Sequence, residues 1–186
     1  MSTASLPRRR LWARADYERM VAAGIFGPED RVELLEGEIV EMSPEKSRHA
    51  AAVDLALEAL RQAFADGFVV RVQHPLALDD TSEPEPDLAV VPGTARDYAD
   101  AHPTSAALVV EVADSSLDYD RTRKTAVYAR AGIREYWIVN LVDRRLEVFR
   151  DPRAAACGST STFGAGDTVA PLAAGGSQVA VSDLLP

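Results

Sequence analysis

The period of the apolar positions changes several times along the chain, and each change predicts an element. Tyr17, Met20 and Val21 fall at helical spacing and stop before Gly24, which predicts a short helix over residues 16–23. Val32, Leu34, Ile39 and Val40 predict two strands within 31–42, joined by a tight turn at Glu36-Gly37. Val53, Leu57, Leu60 and Phe64 recur at i, i+4, i+7 and i+11, so 44–64 reads as a helix, with Gly67 beyond its end. The valine-rich stretch 68–78 reads as β, with Pro75 marking an edge or a bulge. Leu88–Val91 and Leu108–Val112 are apolar runs of strand length, separated by a turn of helix near 96–101. A second helix is predicted over 120–131, ended by Gly132, and 134–141 and 145–150 alternate as a hairpin about Val142-Asp143-Arg144.

The two ends of the chain lack such patterns. Residues 1–14, with Arg8-Arg9-Arg10, read as a flexible arm. Beyond Arg153 there is no lysine or arginine, and 168–172 and 178–181 predict a small C-terminal β appendage. The expected fold is α/β (α+β): a mixed sheet flanked by helices, in one domain over 15–186, with 153–186 as a β-rich tail packed on it.

Composition narrows the class. A chain of 186 residues has room for a core that needs no cross-links. The single cysteine, Cys157, excludes an internal disulfide framework and reads as inert, and His49, His74 and His102 are too scattered for a histidine-rich metal site. No apolar run reaches the ~18 residues of a membrane span, and no hydrophobic region follows the N-terminal arginines, so the expected location is cytoplasmic. A net charge of −9 opposes nucleic-acid binding unless acidic residues gather around a divalent cation, which would reverse the local field. Of 20 basic residues, only Lys46 and Lys124 are lysine, so each marks a place where a compact ammonium is kept in preference to a guanidinium.

The candidate chemistry begins with two carboxylates. Asp87 follows Pro86 at the head of a strand, and Glu111 interrupts the apolar run 108–112. Taken singly, Asp87 reads as a turn residue and Glu111 as one end of a salt bridge, for example to Arg134. Taken together on neighbouring strands about 4.8 Å apart, they form a pair of hard oxygen ligands suited to Mg²⁺ or Mn²⁺. This pattern resembles the signature of the PD-(D/E)XK nuclease superfamily. The ordered set Arg31 to Pro44, Pro86-Asp87 to Val91, Val110-Glu111-Val112, Asp120 to Lys124 and Tyr128 to Val139 is more specific. It is similar to the Uma-two family of restriction endonucleases, over roughly residues 15–150.

The resemblance implies metal-dependent cleavage of DNA phosphodiesters, with Asp87 and Glu111 as metal ligands. It implies a further carboxylate from the early hairpin, Glu33 first, then Glu36 or Glu38. Ala113 stands where the superfamily carries its lysine; within the family a helix lysine replaces it, here Lys124. His49 matches a histidine that family members carry at the start of the long helix, with a solvent-facing helix histidine as the plain alternative. Tyr128 lies one helical turn beyond Lys124 and either hydrogen-bonds in the site or packs. Arg121, Arg123 and Arg130, with Arg134 nearby, are candidate DNA contacts. Tyr136 and Trp137 read as core or interface aromatics.

A catalytically silent module of the same fold, binding DNA or a protein partner, is the competing reading, and the net negative charge favours it. A two-carboxylate glycoside hydrolase is disfavoured because it gives Lys124 no place. Cutting both strands of a duplex needs two active sites or one that is reoriented, and a chain of this size offers one, so a homodimer is expected, joined through exposed aromatic and strand edges of the hairpin 136–149.

Overall fold

The computed structural model describes residues 9–64 and 66–186. Along the chain come α1 (Arg14–Ala22), the hairpin of β1 (Val32–Leu35) and β2 (Glu38–Glu41), α2 (Ser47–Ala63), β3 (Phe68–Val72), β4 (Leu88–Pro92) and β5 (Leu108–Ala113). A helical crossover follows, made of α3 (Leu117–Tyr119), a π-helical turn (Asp120–Lys124) and α4 (Thr125–Arg130). The chain ends with β6 (Glu135–Asn140), β7 (Arg145–Arg153), β8 (Ala156–Gly164) and a small pair, β9 (Thr168–Val169) and β10 (Val179–Ala180).

Strands β3 to β8 form one six-stranded sheet in chain order. Every neighbouring pair is antiparallel except β5 and β6, which run parallel. A parallel pair cannot be joined by a tight turn, and the helical crossover supplies the return path. Strand alternation then sorts the side chains. Leu108, Val110 and Val112 of β5 join Ala52, Val53, Ala56 and Leu60 of α2, with Trp137 and Val139, in one core. Val109 and Ala113 face the other way, into a second core with Tyr128, Tyr136 and Ile138. Glu111, between them in sequence, is thereby committed to the face covered by α4.

The β1–β2 hairpin is a separate two-stranded sheet, tied to the segment before β4 by the Leu34–Glu83 bridge. Its turn needs two residues with positive φ, supplied by Glu36 (53°) and Gly37 (78°). A Cβ on Gly37 would lie 2.7 Å from Leu11 Cβ, so only glycine lets the segment before α1 lie against this turn. Trp12 N–H donates to Gly37 O at 2.8 Å, and Arg9 pairs with Glu38 at 2.9 Å. The first eight residues of the expected arm lie outside the described residues.

Two expectations need correction. The hairpin 136–149 offers no exposed aromatics and no free edge: β6 lies between β5 and β7, β7 lies between β6 and β8, and Tyr136, Trp137 and Phe149 are buried. The cause is β8, a strand of small and hydroxyl side chains with no apolar alternation to announce it, which pairs along β7 and takes the edge position. The second correction concerns 68–78, where only Phe68–Val72 is strand; Gln73 at φ 49° turns the chain out of the sheet before Pro75. Among the described residues no helix is long and apolar enough to cross a membrane.

Candidate active site

Pairing of Leu88 with Val110 brings the residue before β4, Asp87, beside Glu111. Asp87 N–H donates to Glu111 Oε2 at 3.4 Å, while Asp87 Oδ2 accepts from Val112 N–H at 2.8 Å and sits 3.1 Å from His49 Nε2. Burial pushes the Asp87 carboxyl up, but the His49 and Val112 contacts outweigh it and hold the group below its ordinary range. His49, reaching from the first turn of α2, is raised in turn by its bond to Asp87, against the effect of burial.

Lys124 comes from the opposite side, off the crossover. Its Nζ lies 2.9 Å from Glu111 Oε1 and 3.3 Å from Glu33 Oε1, with both partners buried. Tyr128 O–H donates to the same Glu111 oxygen at 2.7 Å. Glu33 is fixed from its other oxygen, which accepts from Glu85 N–H at 3.1 Å. The π-helical turn sets up this approach: Thr125 N–H bonds back five residues to Asp120 O, so one extra residue is accommodated before Tyr128. Such single π turns recur where a helix must present a side chain off the regular α spacing.

The charges here do not balance. Glu33, Asp87, Glu111 and Asp120 surround one ammonium and one imidazole. Burial, opposed by Lys124 and reinforced by the neighbouring acids, raises Glu111 to about 8. Asp120, buried and hydrogen-bonded by Ser116 Oγ at 2.6 Å, is raised to about 6 by the same causes. Burial would strip Lys124 of its proton, but Glu111, Glu33 and Asp120 hold it well above its ordinary pKa, so it remains an ammonium.

These groups lie against a cavity of about 280 Å³, whose rim carries Arg31, Glu45 and Lys46. Glu45, His49 and Asp87 each bring one ligand atom within 4.8 Å of the others. Asp87 lines the cavity, and among the described residues none donates to its Oδ1. Hard oxygen donors, surplus negative charge and an open carboxylate oxygen together fit a hard divalent cation.

The structure brings together Glu33, Asp87, Glu111 and Lys124, with His49 and Tyr128 beside them. It puts Glu36 and Glu38 at the far end of the hairpin, where Glu36 pairs with Arg130 at 2.5 Å and Glu38 with Arg123 at 2.7 Å. Arg121 bonds Glu147 through two nitrogens, at 2.9 and 2.6 Å. Arg121, Arg123 and Arg130 are therefore all engaged by acids. Sequence reasoning passed over Asp120 and Glu45. Asp120 carried a signal, an acid four residues before the rare lysine. Glu45 carried none, because its nearness to Asp87 arises only when α2 packs on the sheet.

The fold has a solved counterpart. The crystal structure of a putative nuclease belonging to DUF820 from Anabaena variabilis superposes with a TM-score of 0.68 at 15% identity, covering 84% of this chain and 90% of that one. At that identity the likeness is one of fold. The sequence itself matches the Uma2 family, described as "Putative restriction endonuclease", over residues 14–182, and the chain belongs to that family. No curated protein matches it.

Proposed function

We propose that this chain is a Mg²⁺- or Mn²⁺-dependent endodeoxyribonuclease of PD-(D/E)XK type, in which the lysine is delivered from the crossover instead of the strand. The observation that carries this reading is the convergence of Asp87, Glu111 and Glu33 on one buried ammonium beside an open cavity. Asp87 and Glu111 would hold the cation, with Glu45 and His49 within reach of the same carboxylate. Bound there, the cation supplies Lewis-acid charge against the scissile phosphodiester and makes a nearby water more acidic.

The other roles belong to the chain. Lys124 keeps its proton, so it donates to a phosphate oxygen or an attacking water and does not serve as the base. Tyr128 and Glu33 fix it and Glu111 from opposite sides. His49 orients Asp87 by occupying Oδ2 and leaving Oδ1 to the cavity. Arg31 and Lys46 on the rim are cations available to a phosphate backbone; each pairs with a partly exposed acid, Glu45 at 3.1 Å and Asp114 at 3.0 Å. Arg123 acts at a distance, by holding the hairpin that carries Glu33 through Leu35 O and Glu38.

The test is plasmid cleavage by purified protein with Mg²⁺, with Mn²⁺ and with EDTA, beside Asp87→Ala. Cleavage that EDTA and Asp87→Ala both abolish supports the reading. Lys124→Arg keeps the charge but replaces a compact donor by a planar fork, so its rate should fall by about 10²–10³-fold, close to Lys124→Ala. A parent-like rate for Lys124→Arg would remove Lys124 from the chemistry. If no cleavage occurs under any condition, the silent module is the better reading, and the pairing of Arg121, Arg123 and Arg130 with acids already speaks for it.

A further inference from the structure

The main sheet ends in two edges built on opposite plans. β3 has five residues, is bent away at Gln73, and carries Arg71, whose guanidinium lies over the Tyr98 ring at 5.5 Å and 3.4 Å from His102 Nδ1. A short, kinked, charged strand with a loop against it is how proteins guard an edge from pairing. β8 has none of these protections. It runs nine residues, Ala-Cys-Gly-Ser-Thr-Ser-Thr-Phe-Gly, without charge or proline, and Gly158 to Thr162 are exposed. Antiparallel geometry turns the N–H and C=O of alternate β8 residues away from β7, and among the described residues no strand lies beyond to receive them.

We infer that the β8 edge pairs, antiparallel, with the β8 edge of a second copy of this chain. Three observations select a second copy over a foreign strand. Symmetric pairing sets each residue near the dyad against its own kind, so any charge there would face its like; about a quarter of this chain is charged, yet these nine residues are neutral. The ends of the edge differ in sign, with Arg153 at the β7–β8 turn and Asp167 just past Gly164, both exposed. Within the hairpin Arg153 pairs with Ala156, and Asp167 accepts from Gly164 N–H; a dyad at Thr160 sets Ala156 of one copy against Gly164 of the other, so the opposite charges flank the same level, twice over. The same register sets Thr160 against Thr160 and Ser159 against Ser161, cross-strand hydroxyl pairs that stabilise antiparallel ladders.

The two six-stranded sheets then become one continuous sheet. Its dyad stands perpendicular to the sheet, so the two candidate active sites lie on the same face at opposite ends, and each acts alone.

The inference is tested by sedimentation velocity and by register-specific cross-linking, both at micromolar concentrations. The parent chain should sediment as a dimer, and Thr160→Lys should raise the dissociation constant at least tenfold while far-UV circular dichroism stays unchanged. In a Cys157→Ser background, Thr160→Cys should form a covalent dimer under mild oxidation, because residues opposed at a dyad have the spacing of a disulfide. Thr162→Cys should not. If Arg153→Asp and Asp167→Arg each weaken the dimer and the double exchange restores it, the antiparallel register follows, since Arg153, at the end of β7, and Asp167, beyond Gly164, flank opposite ends of the nine-residue β8 and cannot meet within one chain. A monomeric parent, or a dimer indifferent to Thr160→Lys, or Thr162→Cys cross-linking as fast as Thr160→Cys, would overturn the inference.

Discussion

Two glutamates on adjacent parallel strands, Glu111 of β5 and Glu135 of β6, are 4% and 0% exposed, and their surroundings treat them in opposite ways. Glu135 accepts from Trp137 Nε1 at 2.9 Å, from Arg150 at 3.0 and 2.6 Å, and from Leu172 N–H at 2.7 Å. Its only charged partner at hydrogen-bond range among the described residues is a cation. Glu111 also has three donors, Lys124, Tyr128 and Asp87 N–H, but its further neighbours are the carboxylates of Asp87, Asp120 and Glu33. Hydrogen-bond satisfaction therefore does not separate the two. The balance of charge does: Glu135 ties the last strands to the C-terminal segment, and Glu111 shares the one ammonium of Lys124 with the carboxylates around it, where a charged carboxyl is costly.

The sharpest way to break this contrast is to neutralise both residues. Glu111→Gln should lower cleavage by about 10³-fold. It should melt no lower than the parent, because burial and the surrounding acids already push the Glu111 carboxyl toward its neutral form and an amide oxygen keeps an acceptor for Lys124 and Tyr128; a melting point several degrees lower would erase the distinction. Glu135→Ala should do the reverse, losing about 3–5 kcal/mol because Arg150 and Leu172 N–H lose their acceptor. Cleavage per folded molecule should stay at the parent level, measured below the midpoint of a denaturant titration.

Glu147 extends the structural side of the comparison to pH. Burial alone would raise it, but Arg121, Asn140 and Arg145 outweigh that and bring it down to about 2. A depressed carboxyl stabilises the fold above its unfolded pKa, about 4.3, and that stability is lost as pH falls through the folded value. Denaturant midpoints should therefore drop between about pH 4.3 and about 2, and Glu147→Gln should flatten that limb. A Glu147→Gln curve parallel to the parent's would show that the decline comes from other carboxyls. The smallest effect belongs to the exposed Arg130–Glu36 pair, where Arg130→Ala should cost less than about 1 kcal/mol and leave cleavage unchanged. A higher KM for DNA in that variant would return Arg130 to contact with the substrate.

The elements with strong periodicity were legible in the sequence. α2 announced itself through Val53, Leu57, Leu60 and Phe64, and β5 through its unbroken apolar run. β8 was illegible because it buries little: its serines, threonines and glycines belong to a strand only because the β7 edge needs pairing. The same division holds at the site. Asp87, Glu111 and Lys124 stood out because an acid in an apolar strand and a rare lysine are locally anomalous. Asp120 and Glu45 look like ordinary helix and loop acids until packing sets them against the others. The arginines at 121, 123 and 130 looked free because their partners, Glu147, Glu36 and Glu38, are 26 to 94 residues away in sequence.

In a helix of 3.6 residues per turn, one inserted residue rotates everything beyond it by about 100°. The π-helical turn at Asp120–Lys124 stores such an insertion in place, so the face that α4 presents to the sheet is set by a residue count as well as by residue identity. Deleting Thr122 would let the crossover wind as regular α and turn Lys124 and Tyr128 as a unit away from β5, with every side chain of the site still present in the sequence. In this fold the reading frame of one helix decides whether an ammonium reaches Glu111.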